Sequence, residues 1–425
     1  MENNYSNLQQ IQLATPGTND TPRGDRLHIA LFGRRNAGKS SLINALTNQD
    51  LAIVSPVAGT TADPVYKSME ILPIGPVVLI DTAGLDDTGE LGQKRVAKSL
   101  AVLDKSDLVL LVMDPQQGFG TVEQEVIEAA AKKEVPLLAV INKTDLLTDP
   151  ESVPCAIPDI PRVMVSAATG RGIGELKQAL VKLAPKDWTA PTIAGDLVPP
   201  GEVALLVAPI DLAAPKGRLI LPQVQTIRDL LDHDCLALVV KERELKAALQ
   251  KLRQPPALVI TDSQAFLKVD ADTPPGVPMT SFSILFARYK GDLATLVAGA
   301  LAVDDLRPGD RVLIAEACTH HRVADDIGTV KIPRWLRQHA GGELDFHWSS
   351  GLELPRDLAG YKLVVHCGAC MINRREMLSR IMAARTAGVP VVNYGVLIAH
   401  MHGILRRALG PFPEVLAMLD EKGVY

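Results

Sequence analysis

Short runs of consecutive apolar residues alternate along the chain with longer stretches in which apolar residues recur every three or four positions. Leu27–Phe32, 77–80, Leu108–Met113, Leu137–Ile141 and 163–165 are runs of the first kind. Helical stretches lie between them: one beginning near Lys39, then 93–103, 123–133 and 174–183, the last closing before Pro185. Strand and helix alternating at this spacing predict a mostly parallel sheet covered on both faces. Pro191, Pro199 and Pro200 mark a linker. A smaller alternating unit follows, with strands Val203–Val207, Leu236–Val240 and Leu258–Thr261 and helices near 223–231 and 242–252. Leu245, Leu249 and Leu252 share one helical face and predict a stripe turned to the core. The stretch 272–278, with three prolines, marks a second boundary. Beyond it strands are expected at 312–315, 362–365 and 389–392, and helices near 374–387 and 400–409. The fold class is therefore α/β in three domains. The expected division is a flexible tail over 1–25, then domains at 26–186, 189–270 and 271–425.

Composition narrows the picture. At roughly 100–200 residues per domain, 425 residues agree with three. A hydrophobic fraction of 47% and a charged fraction of 22% exclude wholesale disorder, collagen and coiled coil. With 44 basic against 49 acidic residues the net charge is -5, which implies no general attraction to nucleic acid or acidic lipid. The five cysteines are odd in number and widely spread, so they form no disulfide framework and fit a reducing compartment. Residues 1–25 lack the basic and apolar regions of a signal peptide, and no apolar run approaches the ~20 residues that span a bilayer. A soluble, cytoplasmic protein without membrane contact is expected.

The first domain carries an ordered set of motifs. Gly33-Arg34-Arg35-Asn36-Ala37-Gly38-Lys39-Ser40, followed by Ser41, leaves a strand and opens a helix, the context a phosphate-binding loop requires. Its glycines let backbone N–H groups turn inward on phosphate, Lys39 adds a point charge, and Ser40 offers a hydroxyl to Mg²⁺. Asp81-Thr82-Ala83-Gly84 ends another strand, where Asp81 can hold the magnesium shell and the Gly84 N–H can meet the γ-phosphate. In Asn142-Lys143-Thr144-Asp145 the Asp145 carboxylate can accept both N–H groups of a guanine edge. Ser166-Ala167-Ala168 is placed as a base-contacting turn. By these motifs the segment resembles the translation-factor-related GTPases, which implies GTP and Mg²⁺ as ligands. Gly59-Thr60-Thr61 then suggests Thr61 as the residue that closes over magnesium.

After Asp81-Thr82-Ala83-Gly84 comes Leu85, where Ras-type enzymes carry the glutamine that orients attacking water. Intrinsic hydrolysis should be slow unless another group supplies the missing charge. The loop from Gly33 to Ser41 is similar to that of the tRNA-modification GTPase family, in which the asparagine equivalent to Asn36 helps bind potassium. This resemblance implies K⁺-stimulated hydrolysis, with Lys39, Asn36, Thr61 and Gly84 as the catalytic set.

The third domain holds a different chemistry. Cys318-Thr319-His320-His321 follows one apolar strand, and His366-Cys367-Gly368-Ala369-Cys370 follows another. If the two strands are parallel neighbours, both turns emerge at one carboxyl edge, where open α/β folds place ligands. Three thiols and up to three imidazoles would meet there. They suit structural zinc, a redox pair, or a [4Fe–4S] cluster with one open position. Cys155 and Cys235 read as incidental, His321 as solvent-facing, and His400 and His402 as structural residues at a helix start.

Cys318-x-His320 and His366-Cys367-x-x-Cys370, C-terminal to a potassium-type GTPase, resemble the HydF family of [FeFe]-hydrogenase maturation GTPases. That resemblance implies Cys318, Cys367 and Cys370 as ligands of a [4Fe–4S] cluster, with His320 and His366 as possible fourth or second-sphere ligands. It also implies a middle dimerisation domain, hence a homodimer, and a scaffold or carrier of a transient di-iron subcluster precursor. The implied partners are two radical S-adenosylmethionine maturases and apo-[FeFe]-hydrogenase. The alternative is a tRNA- or ribosome-associated GTPase with a zinc-binding C-terminal domain. The chain's mild acidity and 4% aromatic content disfavour it, since they offer no nucleic-acid surface.

Overall fold

The computed structural model describes residues 22–47, 64–86, 89–147, 158–185, 192–209, 219–317, 326–351, 354–355 and 357–421. The first unit runs β1 (Leu27–Phe32), α1 (Lys39–Thr47), β2 (Val65–Ile71), β3 (Gly75–Asp81), α2 (Gly89–Ala101), β4 (Leu108–Met113), α3 (Thr121–Lys132), β5 (Leu137–Ile141), β6 (Arg162–Met164) and α4 (Ile173–Leu183). Its sheet has the order β2-β3-β1-β4-β5-β6, parallel except for β2, which pairs antiparallel with β3. Every residue of β1 and β4 is buried, as strands covered on both faces must be. Leu42, Ile43 and Leu180 pack on one face of the sheet, and Val102, Val126 and Ala130 on the other.

The second sheet is wholly parallel: β7 (Val203–Val207), α5 (Leu221–Asp232), β8 (Leu236–Val240), α6 (Leu245–Lys251), β9 (Leu258–Thr261), α7 (Phe266–Asp272) and β10 (Met279–Ser281), with strand order β10-β9-β7-β8. Because β10 pairs with β9, this sheet continues past the expected boundary at residue 270. Three residues with a Thr and a Ser carry too little apolar pattern to read as a strand. Leu245 is fully buried, and Leu249 packs against the core.

Two helices, α8 (Phe282–Lys290) and α9 (Leu293–Leu301), lead to the third sheet. There β11 (Arg311–Glu316), α10 (Ile332–Ala340), β12 (Asp345–Ser350), β13 (Leu363–His366), α11 (Arg374–Thr386) and β14 (Val391–Asn393) build the parallel order β12-β11-β13-β14. Helices α12 (Tyr394–Met401), α13 (Leu405–Ala408) and α14 (Pro413–Glu421) complete the fold. Side-chain oxygens of Ser281, Asp292, Asn373 and Asn393 accept the backbone N–H three residues on and start α8, α9, α11 and α12. Helix α12 thus begins at Tyr394. His400 lies in its last turn and not at a helix start, because the uniformly apolar 396–399 hides the helical period.

The second and third units share one continuous core, with Phe282, Leu285, Leu296 and Val396 among its buried members. The expected tail to residue 25 ends sooner: a short 3-10 turn at Arg23–Asp25 is anchored. Asp25 Oδ1 lies 3.0 Å from Lys290 Nζ and accepts the Tyr289 hydroxyl at 3.1 Å, and Asp25 Oδ2 accepts the Gln225 amide. Among the described residues no helix is long and apolar enough to cross a membrane.

Asp107, just before β4, accepts the His28 N–H at 2.8 Å. Burial raises its carboxyl to about 6, against the lowering effects of that hydrogen bond and of the Arg375 charge. The folded state therefore holds a proton that the unfolded chain releases, and the associated stability is lost as pH rises from about 4 to about 6. Asp107→Asn should stabilise the protein by about 1–3 kcal/mol at pH 8 and leave it unchanged near pH 4. Thermal denaturation at the two pH values checks this.

Candidate functional site

The strand order of the first sheet reverses at β1, and the loop after β1 sits at its carboxyl edge, the usual ligand position of open α/β sheets. Gly33 has φ +148, and a Cβ there would lie 2.1 Å from Val112 O, so only glycine lets the loop turn against β4. Asn36 adopts φ 59, a left-handed conformation that asparagine tolerates, and its side chain is exposed. Lys39 is buried and donates from Nζ to Gly33 O at 2.9 Å and Arg34 O at 2.8 Å, which holds its charge inside the curl of the loop.

Ser40 Oγ donates to Asp81 Oδ2 at 2.6 Å, which joins the two residues expected around magnesium. Burial raises the Asp81 carboxyl above its ordinary range, while the Ser40 hydrogen bond and the Lys39 charge act in the opposite direction. A dication would favour its ionised form. Leu85 N donates to Gly33 O at 3.4 Å, and Asp86 Oδ1 accepts the Arg35 N–H at 2.7 Å, so the segment containing Gly84 lies across the phosphate loop. The Leu85 side chain is buried in the core with Val102 and Leu103 and, being apolar, has no group to orient water.

The two motifs expected to contact the base support the same loop. Asn142 Nδ2 donates to Ala37 O at 3.0 Å, and its Oδ1 accepts the Ala167 N–H at 3.0 Å. Ser166 Oγ donates to Asp145 Oδ1 at 2.6 Å, and Lys143 pairs with Asp114 at 2.8 Å. Asn142 thus joins the loop after β1 to the Ser166-Ala167 turn. The structure adds Glu123, which is 2% exposed and grips Arg34 through two 2.8 Å hydrogen bonds. A separation of 89 residues hides this pair in the sequence. Thr61 and its neighbours Gly59 and Thr60 lie outside the described residues.

In the third sheet β11 and β13 are parallel neighbours, with Ala315 opposite His366. The order reverses at β11, so this edge also meets the ligand rule. The Ala317 N–H donates to Cys367 Sγ at 3.2 Å, which brings the chain just before Cys318 to the Cys-x-x-Cys turn. Ala369, at φ 55, curls that turn; Cys367 is buried and Cys370 half-buried. Cys318, His320, His321 and Cys155 lie outside the described residues, among which no group of three or more His, Cys, Asp or Glu could hold a metal ion.

His366 is 1% exposed, with Nδ1 2.8 Å from Cys367 O and Nε2 3.0 Å from Arg380 Nη1. A guanidinium only donates, so Nε2 accepts and the Nδ1–H faces the carbonyl. Burial and the Arg380 charge lower its pKa to about 4. With both nitrogens engaged, His366 supports the cysteine turn from behind. Cys235 is buried against Val198 O, and burial raises its thiol pKa. His400 and His339 both meet Asp304 Oδ1, at 2.9 and 3.0 Å.

Residues 193–291 match the family model for the hydrogen maturase F dimerization domain, and residues 294–411 that for its tetramerization domain, together just over half of the chain. The chain belongs to the hydrogen maturase F family. In this chain the first unit, over residues 28–143, matches the model for a 50S ribosome-binding GTPase and is a P-loop GTPase domain. The tRNA modification GTPase MnmE of Burkholderia ambifaria is 41% identical over 167 residues, 39% of this chain and 35% of that protein. Its counterpart in Burkholderia mallei is 40% identical over 170 residues, 39% of this chain and 36% of that protein. The chain thus spans about a third of the length of the curated relatives it matches. The crystal structure of Aquifex aeolicus Era bound to GDP and AlF4 is 19% identical, covers 52% of this chain and 97% of its own, and has a TM-score of 0.34. The two hydrogen maturase F matches imply self-association.

Asn142→Ala would leave Ala37 O and the Ala167 N–H without their partner. GDP affinity should fall by between about fivefold and about a hundredfold, at about 1–3 kcal/mol for buried groups left without a partner. Titration calorimetry with GDP measures it.

Proposed function

We propose that this chain is a GTP-hydrolysing scaffold and carrier that binds a [4Fe–4S] cluster and assembles or delivers a di-iron subcluster to [FeFe]-hydrogenase. The observation that carries the reading is the pairing of a complete phosphate loop with a cysteine turn. Each lies at the carboxyl edge of a parallel sheet, in a chain with both hydrogen maturase F domains. Cys318, Cys367 and Cys370 would hold the cluster. The donor set supports this: the Cys-x-x-Cys turn is curled at Ala369, a backbone N–H already meets Cys367 Sγ, and the strand before Cys318 ends alongside. When bound, such a cluster supplies an iron position open to exchange. His320 could serve as fourth ligand, while His366 orients the turn through Cys367 O.

In the GTPase unit Lys39, now held by loop carbonyls, would turn its charge to the β- and γ-phosphates, and Ser40 with Asp81 would hold Mg²⁺. Thr61 would close over the metal, and the Gly84 N–H would meet the γ-phosphate. Asp145, Asn142 and Lys143, with Ser166 and Ala167, would fix guanine. Since Leu85 is buried and cannot orient water, charge at the phosphates must come from elsewhere. Asn36, exposed and in a left-handed conformation, would help bind K⁺ there. Hydrolysis acts as a timer on partner release and takes no part in the iron chemistry.

Self-association is supported by the edge position of β8, with Leu236 56% and Leu231 on the neighbouring α5 also 56% exposed. The proposed partners are a second copy, radical S-adenosylmethionine maturases and apo-[FeFe]-hydrogenase, in the cytoplasm and without nucleic acid or membrane.

Two measurements separate these parts. Anaerobic purification should yield iron and sulfide in about equal amounts, lost in Cys367→Ala; about one zinc per chain and no iron would contradict the scaffold role. GTP hydrolysis should be at least about tenfold faster in potassium than in sodium, and Asn36→Ala should bring the two rates together. Equal rates in the unmodified protein would remove the potassium role.

A further inference from the structure

The GTPase unit meets the helix that follows the cysteine turn. Helix α2 passes without a break into a 3-10 turn, Val102–Lys105, whose Val102 and Leu103 are buried in the same core as Leu85. Leu85 and Asp86 touch the phosphate loop through Gly33 O and the Arg35 N–H. Lys105 Nζ also donates to the Tyr66 hydroxyl on β2 at 2.6 Å. The 3-10 turn is thus attached to the strand after the Gly59–Thr61 segment and to the helix after the Asp81–Gly84 segment. These are the two places where a γ-phosphate is read.

At its end, Lys105 O accepts the side-chain amide of Asn373 at 2.9 Å. Asn373 is the N-cap of α11, where its Oδ1 accepts the Glu376 N–H at 3.0 Å. It lies three residues after Cys370. The preceding carbonyl, Ile372 O, accepts Lys290 Nζ at 2.8 Å, and that ammonium is 1% exposed and paired with Asp25. The two residues that close the stretch after Cys370 are therefore held from different directions, Ile372 by Lys290 and Asn373 by the end of the 3-10 turn. Ser379 Oγ donates to Asp104 Oδ1 at 3.0 Å, and Arg375 Nη2 to Lys133 O at 2.6 Å, which keeps α11 against the GTPase unit.

We propose that Asn373 is a positioning residue that conveys the nucleotide state of the GTPase unit to the Cys367–Cys370 turn. A shift of Val102–Lys105 would pull on Asn373 while Lys290 holds only the carbonyl oxygen of Ile372, so the peptide joining the two would rotate about that anchor and carry the stretch back to Cys370 with it. The proposal rests on the GTPase reading above and adds the route by which that unit regulates the cysteine site. One side chain performs two tasks with different atoms: Oδ1 caps the helix and Nδ2 makes the link.

Those atoms can be separated. Asn373→Ser and Asn373→Asp both retain a capping oxygen and lose the amide donor, while Asn373→Ala loses both. The test is amide hydrogen exchange over 366–377 in the full-length protein, saturated with GDP or with a non-hydrolysable GTP analogue. In the unmodified protein the two nucleotides should give different exchange. That difference should vanish in Asn373→Ser and Asn373→Asp while their GDP affinity and thermal midpoint stay near those of the parent. Persistence of the difference in both variants would overturn the proposal, as would its absence from a nucleotide-bound parent. Failure of the parent to bind either nucleotide would instead overturn the GTPase reading, and the link with it.

Discussion

Parallel strand pairing determines where chemistry can sit in this molecule. A parallel sheet sends every strand end to one edge, and where the strand order reverses, the two loops at that edge diverge and leave a crevice. This occurs at β1 in the first sheet and at β11 in the third. The phosphate loop follows β1, and the cysteine turns follow β11 and its neighbour β13. Two unrelated chemistries, phosphate held by backbone N–H groups and, in the proposed function, iron held by thiolates, would thus use the same geometric opportunity twice.

The apolar runs make this arrangement readable in advance. Strands buried on both faces, such as β1, β4 and β7, are uniform hydrophobic text, and their limits coincide with the expected ones. Polar edge strands do not announce themselves. β2 is Val-Tyr-Lys-Ser-Met-Glu-Ile and β12 is Asp-Phe-His-Trp-Ser-Ser, each interrupting its apolar residues with polar ones at the edge of a sheet. Helix α9 is apolar on nearly every face, so no period marks it.

The same distinction applies to the site. Gly33, Asn36, Gly38 and Lys39 are legible because backbone curvature restricts which residues can stand there, and their spacing is local. The grip of Glu123 on Arg34, the engagement of His366 by Arg380, and the attachment of Asn373 to Lys105 depend on elements that meet only in the folded chain. Lys290 is the extreme case. A lysine is seldom fully buried, and this one is held by Asp25 and two carbonyls at the junction of all three units.

The account requires that one chain hold nucleotide and cluster together, at separate edges of one connected body. Native mass spectrometry of the anaerobically purified protein with added GDP addresses this directly. A single chain mass carrying both a nucleotide and a four-iron, four-sulfur increment is the predicted result. Mutually exclusive occupancy, or a zinc increment in place of the cluster, would contradict it.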